Sequence, residues 1–349
     1  MSESFNVADA SFLDSYSSLW AEHDANSLFR SPGYLRMIAE LTGADLAFVV
    51  RARGGRPISA LPFALKQGAA GKVINSLPYF GSCSGIVGAR GDDEAPPMVR
   101  ALLEHARQAG VAAVTLVDDW RRNIFGGLVD ADFVSQRSNQ YIDLKAMSAG
   151  PRMHSYHQKT RNLVRKAEKL GVACRISDDP RDIDALADKH RQNMANVGGI
   201  AKPEGFFAML RDAARPLGRQ VLYVATFQGR DCAYLLNFYC GDTVEYYMPA
   251  VSVEDRNAQP LSLLIDRAIN DAVREGYARW NFGGTWPTQH SLRHFKVRWG
   301  SSETSYGYYS YILDRGILRA TAAELLAAFP YFFVAPFDQL ADQSARSVA

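Results

Sequence analysis

The sequence predicts a mixed α/β (α+β) protein built from two related domains, and three observations carry that prediction. The chain has 349 residues, and at roughly 100–200 residues per domain this length makes two cores. An order of hairpin, loop, helix and strand occurs twice, at about 46–118 and about 220–282. A composition of 47% hydrophobic and 22% charged residues is that of a globular chain and excludes disordered and collagen-like classes.

The first domain is read as residues 1–147. A helix is expected over Pro32–Leu41, then an apolar run Leu46–Arg53, Gly54-Gly55 and a second run Ile58–Leu65, which together signal a β-hairpin. The Gly/Ser-rich segment LPYFGSCSGIVG leads through Pro96-Pro97 into a helix whose Val99, Leu102, Leu103 and Ala106 fall at helical spacing, and Gly110 stops it. The strand Val111–Val117 then ends in Asp118-Asp119.

The second domain is read as 148–315, behind a linker near Lys145–Pro151. A helix from Ser155 to Leu170 is closed by Gly171, a short strand Val172–Ile176 follows, and Pro180 starts another helix. RQVLYVATF, DCAYLLNFY and TVEYYMPA form a three-strand meander with turns at Gly229-Arg230 and Gly241-Asp242. The loop SVEDRNAQ ends at Pro260, which opens a helix through Glu275, and a strand Ala278–Phe282 meets a Gly283-Gly284 loop. A helix around His290–Trp299 and a strand Thr304–Leu313 complete this domain, and residues 316–349 are read as a C-terminal helix and tail.

Charge and cysteine usage narrow the class. With 39 Lys+Arg against 37 Asp+Glu there is no global basic footprint for duplex DNA. Cys83, Cys174, Cys232 and Cys240 are scattered, which points to a reducing cytoplasm. The N-terminal MSESFNVADASF has no secretory pattern, and Glu324, Pro330 and Pro336 interrupt the apolar stretch Ala320–Phe337, so no membrane span is expected. Weak membrane-surface contact is the second reading of that stretch. GSCSG around Cys83 imitates a nucleophile elbow without a following helix, which favours a buried structural cysteine. The pairs His154/His157 and His290/His294 have no third ligand, so no metal is expected, and His190 shares a helical stripe with Ile183, Leu186 and Met194.

A helix from Ser155 places Leu163, Val164, Ala167 and Leu170 on one face and Lys159, Arg161, Arg165, Lys166 and Lys169 on the other. From Arg152 to Lys169 six Lys/Arg face one Glu, a local charge of +5. Such a stripe is either a solvated face or a phosphate contact.

The segments YHQKTRNLVRKAEKLGV (Tyr156–Val172) and WNFGGTWPTQHSLRHFKVRWG (Trp280–Gly300) both resemble the FemAB-like branch of the GNAT acyltransferases, whose members carry two tandem GNAT-like domains. The first resembles that family's Arg-rich helix, the second its FGG turn and downstream Phe-Lys. The resemblance covers roughly residues 27–312, closely in the second half and loosely in the first. It implies transfer of an acyl or aminoacyl group to an amino group, with acyl-CoA or aminoacyl-tRNA as co-substrate and no tightly bound cofactor.

The resemblance also assigns roles. Arg161, Arg165, Tyr156, Phe295 and the Gly283-Gly284 turn are expected to contact substrate, with Tyr247 of the aromatic meander beside them. The loop carrying Asn257 and Gln259 stands where a GNAT fold receives the donor pyrophosphate at a helix N-terminus, although it lacks the glycine-rich pattern. Lys296 is expected to hold the oxyanion of the acyl-transfer step; as an isolated residue it could instead lie over Phe295 and Trp299. Asp118 and Glu245 are the candidate bases for the acceptor amine. The family's first-domain Lys is missing from this sequence, and Arg36 is expected to substitute for it as a substrate contact, while Asp119 replaces the usual Pro after Asp118.

The expected function is FemAB-like N-acyl or aminoacyl transfer to a cell-envelope or polysaccharide precursor in the cytoplasm. An acyl-CoA-dependent N-acyltransferase of exopolysaccharide synthesis is one alternative. A non-catalytic GNAT-shaped binding protein, motivated by the departures at Arg36 and Asp118-Asp119, is the other.

Overall fold

A computed structural model describes residues 2–24, 27–79, 83–88, 91–128, 130–147 and 155–340. Gly81, His154 and the linker residues 148–151 lie outside the described residues. The chain divides into two compact units, residues 1–138 with 304–349 and residues 139–303.

In unit 1, β1 (Glu3–Ala8), α1 (Leu13–His23) and α2 (Pro32–Thr42) precede the hairpin of β2 (Asp45–Arg53) and β3 (Arg56–Gly68). The turn between them holds Gly54 and Gly55 at φ 57° and 78°, a left-handed pair that closes a tight hairpin. β4 (Gly71–Asn75), α3 (Ala95–Gln108) and β5 (Ala113–Val117) follow. β1 to β4 pair antiparallel in sequence, and β4 pairs parallel with β5. The chain then passes along β6 (Phe133–Asp143) and α4 (Leu144–Met147) into unit 2.

Unit 2 contains α5 (Gln158–Lys169), β7 (Ala173–Ser177), α6 (Pro180–Val197), α7 (Phe206–Ala214), β8 (Gly218–Phe227), β9 (Arg230–Cys240), β10 (Thr243–Val251), α8 (Pro260–Arg274), β11 (Arg279–Thr285) and α9 (His290–Val297). Its strand order is β11-β10-β9-β8-β7, antiparallel except for the parallel pair β10–β11. Leu264, Ile265, Ala268, Ile269 and Ala272 of α8 bury a continuous apolar stripe against Tyr223, Leu235, Val244, Trp280 and Phe282 of the sheet. Val164 and Ala167 of α5 join the same core.

Both units thus carry three antiparallel strands, a helix and a parallel strand: β2-β3-β4-α3-β5 and β8-β9-β10-α8-β11. This is the repeat expected from the sequence, with the third strand of the first copy supplied by β4, which the sequence reading passed over. A five-residue strand beginning at a glycine offers little periodicity.

Two expectations change. Residues from Thr304 on, read as the end of the second domain and a separate tail, fall in unit 1. β12 (Ser302–Ile312) pairs Tyr308–Ile312 antiparallel with β5, and α10 (Ala322–Ala328) and the segment after it bury Leu325, Phe329, Phe332 and Val334 with Ala64, Val73 and Ala113. Thr321 and Glu324 form a reciprocal cap that starts α10. Among the described residues no helix is long and apolar enough to cross a membrane. Gly283 and Gly284, read as a loop, belong to β11.

Gly300 ends the α9 segment at φ 79°, where a Cβ would stand 2.5 Å from the Ser155 carbonyl. The His157 N–H donates to the Arg298 carbonyl at 2.9 Å, so the start of α5 and the end of α9 are tied. Gly300→Ala is expected to lower unfolding free energy by about 1–3 kcal/mol. Urea denaturation checks it, and an unchanged midpoint would mean that the Ser155 carbonyl yields without cost.

Candidate active site

Two parallel strands that part company define the site in unit 2. β10 and β11 pair only at Thr243–Glu245 with Arg279–Asn281, although β10 runs on to Val251 and β11 to Thr285. The β9–β10 register shifts between Tyr246 and Met248, so Tyr247 is an extra residue in β10. Such a bulge turns backbone groups out of the ladder. Beyond Glu245 and Asn281 the two strands therefore leave a gap edged by backbone rather than a closed rung.

The last rung is polar. Asn281 Nδ2 donates to Glu245 Oε2 at 2.7 Å, while Asn281 Oδ1 accepts from Asn139 Nδ2 at 2.9 Å and from the Gly283 N–H at 3.0 Å. Asn139 and Asn281 are fully buried and Glu245 is nearly so. Val244, Trp280 and Phe282 point into the core beneath α8, and strand alternation sends Glu245 and Asn281 to the opposite face. On that face Tyr247 packs edge-on to Phe238 and stacks parallel to Phe206, with centroids 5.1 and 6.5 Å away.

Lys296 reaches back from α9 to β11. Only 3% exposed, its Nζ donates to the Gly283 carbonyl at 2.9 Å, the Gly284 carbonyl at 2.8 Å and Thr285 Oγ1 at 3.0 Å. Thr285 Oγ1 donates to Gln140 Oε1 at 2.5 Å, Gln140 Nε2 donates to Glu303 Oε1 at 2.9 Å, and Arg293 pairs with Glu303. Burial pushes the Lys296 ammonium down to about 7. The sequence reading gave Lys296 a substrate oxyanion. Each of the three donors of its charged form has a protein acceptor instead, so the cation holds the Gly283–Thr285 segment in place.

The other expected residues divide. Gly283 and Gly284 are half-buried beside Asn281, and Gly283 has φ 76°, a conformation glycine supplies without strain. Tyr156 is a core residue, 1% exposed with its ring edge-on to Trp299 at 5.0 Å, because it lies just before α5 where the helix meets α9. Phe295 packs on the same Trp299 at 6.3 Å. Arg161 Nη1 donates to the Tyr156 carbonyl at 2.6 Å, and Arg165 is exposed. Among the described residues Lys159, Arg161, Arg165, Lys166 and Lys169 form no ion pair. Gln259, at φ 60°, precedes Pro260 and donates to the Arg256 carbonyl at 2.8 Å, while Asn257 is exposed in the short helix before it.

Asp118 and Arg36 belong to unit 1. Asp118 is fully buried at the end of β5, its Oδ1 accepting from the Asp119 and Phe125 N–H groups at 3.0 and 3.3 Å, and burial pushes its carboxyl up to about 7. Arg36 is exposed on α2. Cys83 is buried as expected, with Arg121 Nη2 3.3 Å from its sulfur. His157 caps α5 by accepting from the Lys159 N–H at 3.2 Å, and no cluster of three metal-ligating side chains exists among the described residues.

Sequence reasoning missed Asn281, Asn139, Thr285 and Gln140. One signal was available: Asn281 lies between Trp280 and Phe282 in a strand buried on both faces, and such a residue needs a polar partner.

A family model described as an acetyltransferase (GNAT) domain matches residues 154–296. No curated protein matches the chain by sequence. Among solved structures the chain is similar to FemX, at 14% identity over 90% of this chain and 98% of that one, with a TM-score of 0.65. It is also similar to the C-terminal domain of a putative lysylphosphatidylglycerol synthetase from Agrobacterium fabrum, at 12% identity over 93% and 99% with a TM-score of 0.60. A tandem GNAT protein from the clavulanic acid biosynthesis pathway matches at 14% over 89% and 98%, with a TM-score of 0.53.

The Lys296 ammonium has a pH signature. Its folded value of about 7 lies below the ordinary 10.5. Between the two the unfolded chain binds a proton that the folded chain does not, so folding stability rises with pH across that window. Relative to Lys296→Met, the wild type is expected to gain stability as pH is raised from 7 towards 10. Parallel stability curves from chemical denaturation would place the Lys296 proton affinity at its ordinary value.

Proposed function

We propose that this chain, a GNAT acyltransferase of the FemAB-like kind with two tandem domains, moves an acyl or aminoacyl group onto an amino group of a cell-envelope or polysaccharide precursor. The observation that carries the chemistry is the gap between β10 and β11 with Glu245 at its closed end. The acceptor amine attacks the acyl carbonyl carbon and a C–N bond forms. Glu245 takes a proton from the nitrogen, and the C–S or C–O bond to the donor breaks as the leaving group accepts a proton. Backbone N–H groups turned out by the Tyr247 bulge are the donors for the oxyanion, and Lys296 acts through the Gly283–Thr285 segment as a positioning residue.

The likeness to FemX and to a domain of a putative lysylphosphatidylglycerol synthetase supports the envelope reading. The family model supports the alternative of an acyl-CoA-dependent N-acyltransferase in exopolysaccharide synthesis. The unneutralised cations of α5 favour a phosphate-bearing donor, in which Arg161 and Arg165, one turn apart, present adjacent guanidinium groups. The four cysteines form no disulfide among the described residues, which supports work in a reducing cytoplasm.

Radiolabelled acyl-CoA and aminoacyl-tRNA, each offered with amino-sugar and lipid-linked precursors, test the reading. With the donor found, Glu245→Gln is expected to lower kcat by about 10²–10⁴ with KM little changed. An unaltered kcat in a folded variant would remove Glu245 from the proton transfer. Reversing charge at both Arg161 and Arg165 is expected to raise the donor KM and flatten its salt dependence, and steady-state kinetics from 50 to 300 mM salt, about the range over which surface charges become screened, read both. Unchanged KM and salt slope would return α5 to a solvated face.

A further inference from the structure

We infer that a cavity of about 500 Å³ in unit 1 binds a sugar acid, a hydroxyl-rich ring carrying one carboxylate. One wall is α1, which brings Ser15, Ser18, Leu19 and Glu22 to the cavity at helical spacing. The other is the end of the β2–β3 hairpin, with Arg51, Arg53 and Arg56. Two carboxylates serve the first two of these: Arg51 pairs with Glu94 at 2.7 Å, and Glu3 Oε1 accepts from both Arg51 Nη2 at 2.9 Å and Arg53 Nη2 at 2.7 Å. Arg56 is exposed and forms no ion pair or hydrogen bond among the described residues. It stands directly opposite Arg53 in the ladder, a position where like charges repel.

A carboxylate bound at Arg53 and Arg56 offsets that repulsion, and the planar guanidinium fork matches its two oxygens. The rest of the lining selects what carries the carboxylate. Glu22 and Glu94 accept hydrogen bonds from ring hydroxyls and repel a phosphate dianion. Ser15 and Ser18 add hydroxyls that both donate and accept. Leu19 and Ile58 supply apolar contact for the C–H face of a ring, and Ile58 comes to the cavity as the extra residue of a bulge in β3. Gly88 lines the cavity at φ 83°, where a Cβ would stand 2.4 Å from the Ile58 carbonyl, so bare backbone meets the ligand there. No residue of the β10–β11 gap takes part, and the site stands whether or not the transferase reading holds.

Isothermal titration of the full chain with methyl β-D-glucuronide, a locked ring with one carboxylate, tests the site without any turnover. The wild type is expected to bind one equivalent. Methyl β-D-glucoside, the same ring without the charge, is expected to bind more weakly by about tenfold or more, the scale of a hydrogen bond to a charged group. Glucose 6-phosphate is also expected to bind more weakly than the glucuronide. Arg56→Met is expected to lose about tenfold on the same ground and Glu22→Ala several-fold, each at an unchanged melting temperature because both side chains are exposed. Arg107→Met, which removes an exposed arginine of α3 outside the cavity, is expected to match the wild type. No binding of the glucuronide, equal affinity for glucuronide and glucoside, tighter binding of glucose 6-phosphate, or equal affinities in Arg56→Met and Arg107→Met would overturn the proposal. Titration with a glucuronan tetrasaccharide separates the two sources of the ligand. Tighter binding than the single ring identifies a uronic-acid polymer and equal or weaker binding a free sugar acid, and either keeps the carboxylate site.

Discussion

The parting of β10 from β11 after three paired residues is the constraint on which the candidate site depends, and it is held from both sides. On one side β10 stays in register with β9 through a bulge at Tyr247, so its later residues follow β9 and not β11. On the other, the end of β11 is gripped by Lys296 through the Gly283 and Gly284 carbonyls and Thr285, and Thr285 is anchored in turn on Gln140. Two parallel strands of apolar residues would otherwise extend their ladder, because each further rung satisfies buried backbone groups. A gap in a sheet interior persists only where something else satisfies or uses those groups, which is why such a gap marks a place for chemistry.

Buried charge is handled in two different ways in this chain. Lys296 is enclosed with dipoles alone, two carbonyls and a hydroxyl, and its ammonium falls to about 7. In unit 1 Asp119 is equally buried, and burial would raise its carboxyl, but Arg30 and Arg121 outweigh that and hold it below the usual carboxylate range. Its neighbour Asp118 has backbone N–H donors and no guanidinium, and rises to about 7. Adjacent aspartates thus differ because a guanidinium stabilises a carboxylate more than two amide dipoles do in the same enclosure. The side chain to expect charged at neutral pH is Asp119, and Asp118 closes the 118–125 segment by bonding to Phe125.

Much of the fold was legible because helices and hairpins are local. Pro-opened, Gly-closed helices such as α3 and α6, and runs broken by Gly54-Gly55 or Gly229, follow from rules that act within a few residues. The place of β12 was not legible, since its pairing with β5 joins residues almost 200 positions apart and leaves no trace in local pattern. At the site the mid-strand acid Glu245 could be singled out, as could Lys296 through the Phe-Lys resemblance. What they touch could not. Gln140 and Asn139 read as ordinary polar residues of β6, and their meaning comes only from the register that sets them beside Thr285 and Asn281. Tyr156 shows the opposite error: a tyrosine beside a basic helix reads as a substrate contact, whereas the close approach of α5 to α9 makes it the filling between them.

The hydrogen bonds around Asn281 also fix which end of its side chain meets Glu245. Its oxygen accepts from two N–H groups, those of Gly283 and Asn139, so turning the amide over would set donor against donor at both positions. The amide nitrogen is therefore obliged to face Glu245, and it donates to Glu245 Oε2 at 2.7 Å. The same segment that Lys296 holds supplies the Gly283 N–H to this arrangement, so the position of β11 and the orientation of the Asn281 amide towards Glu245 are set by one set of bonds.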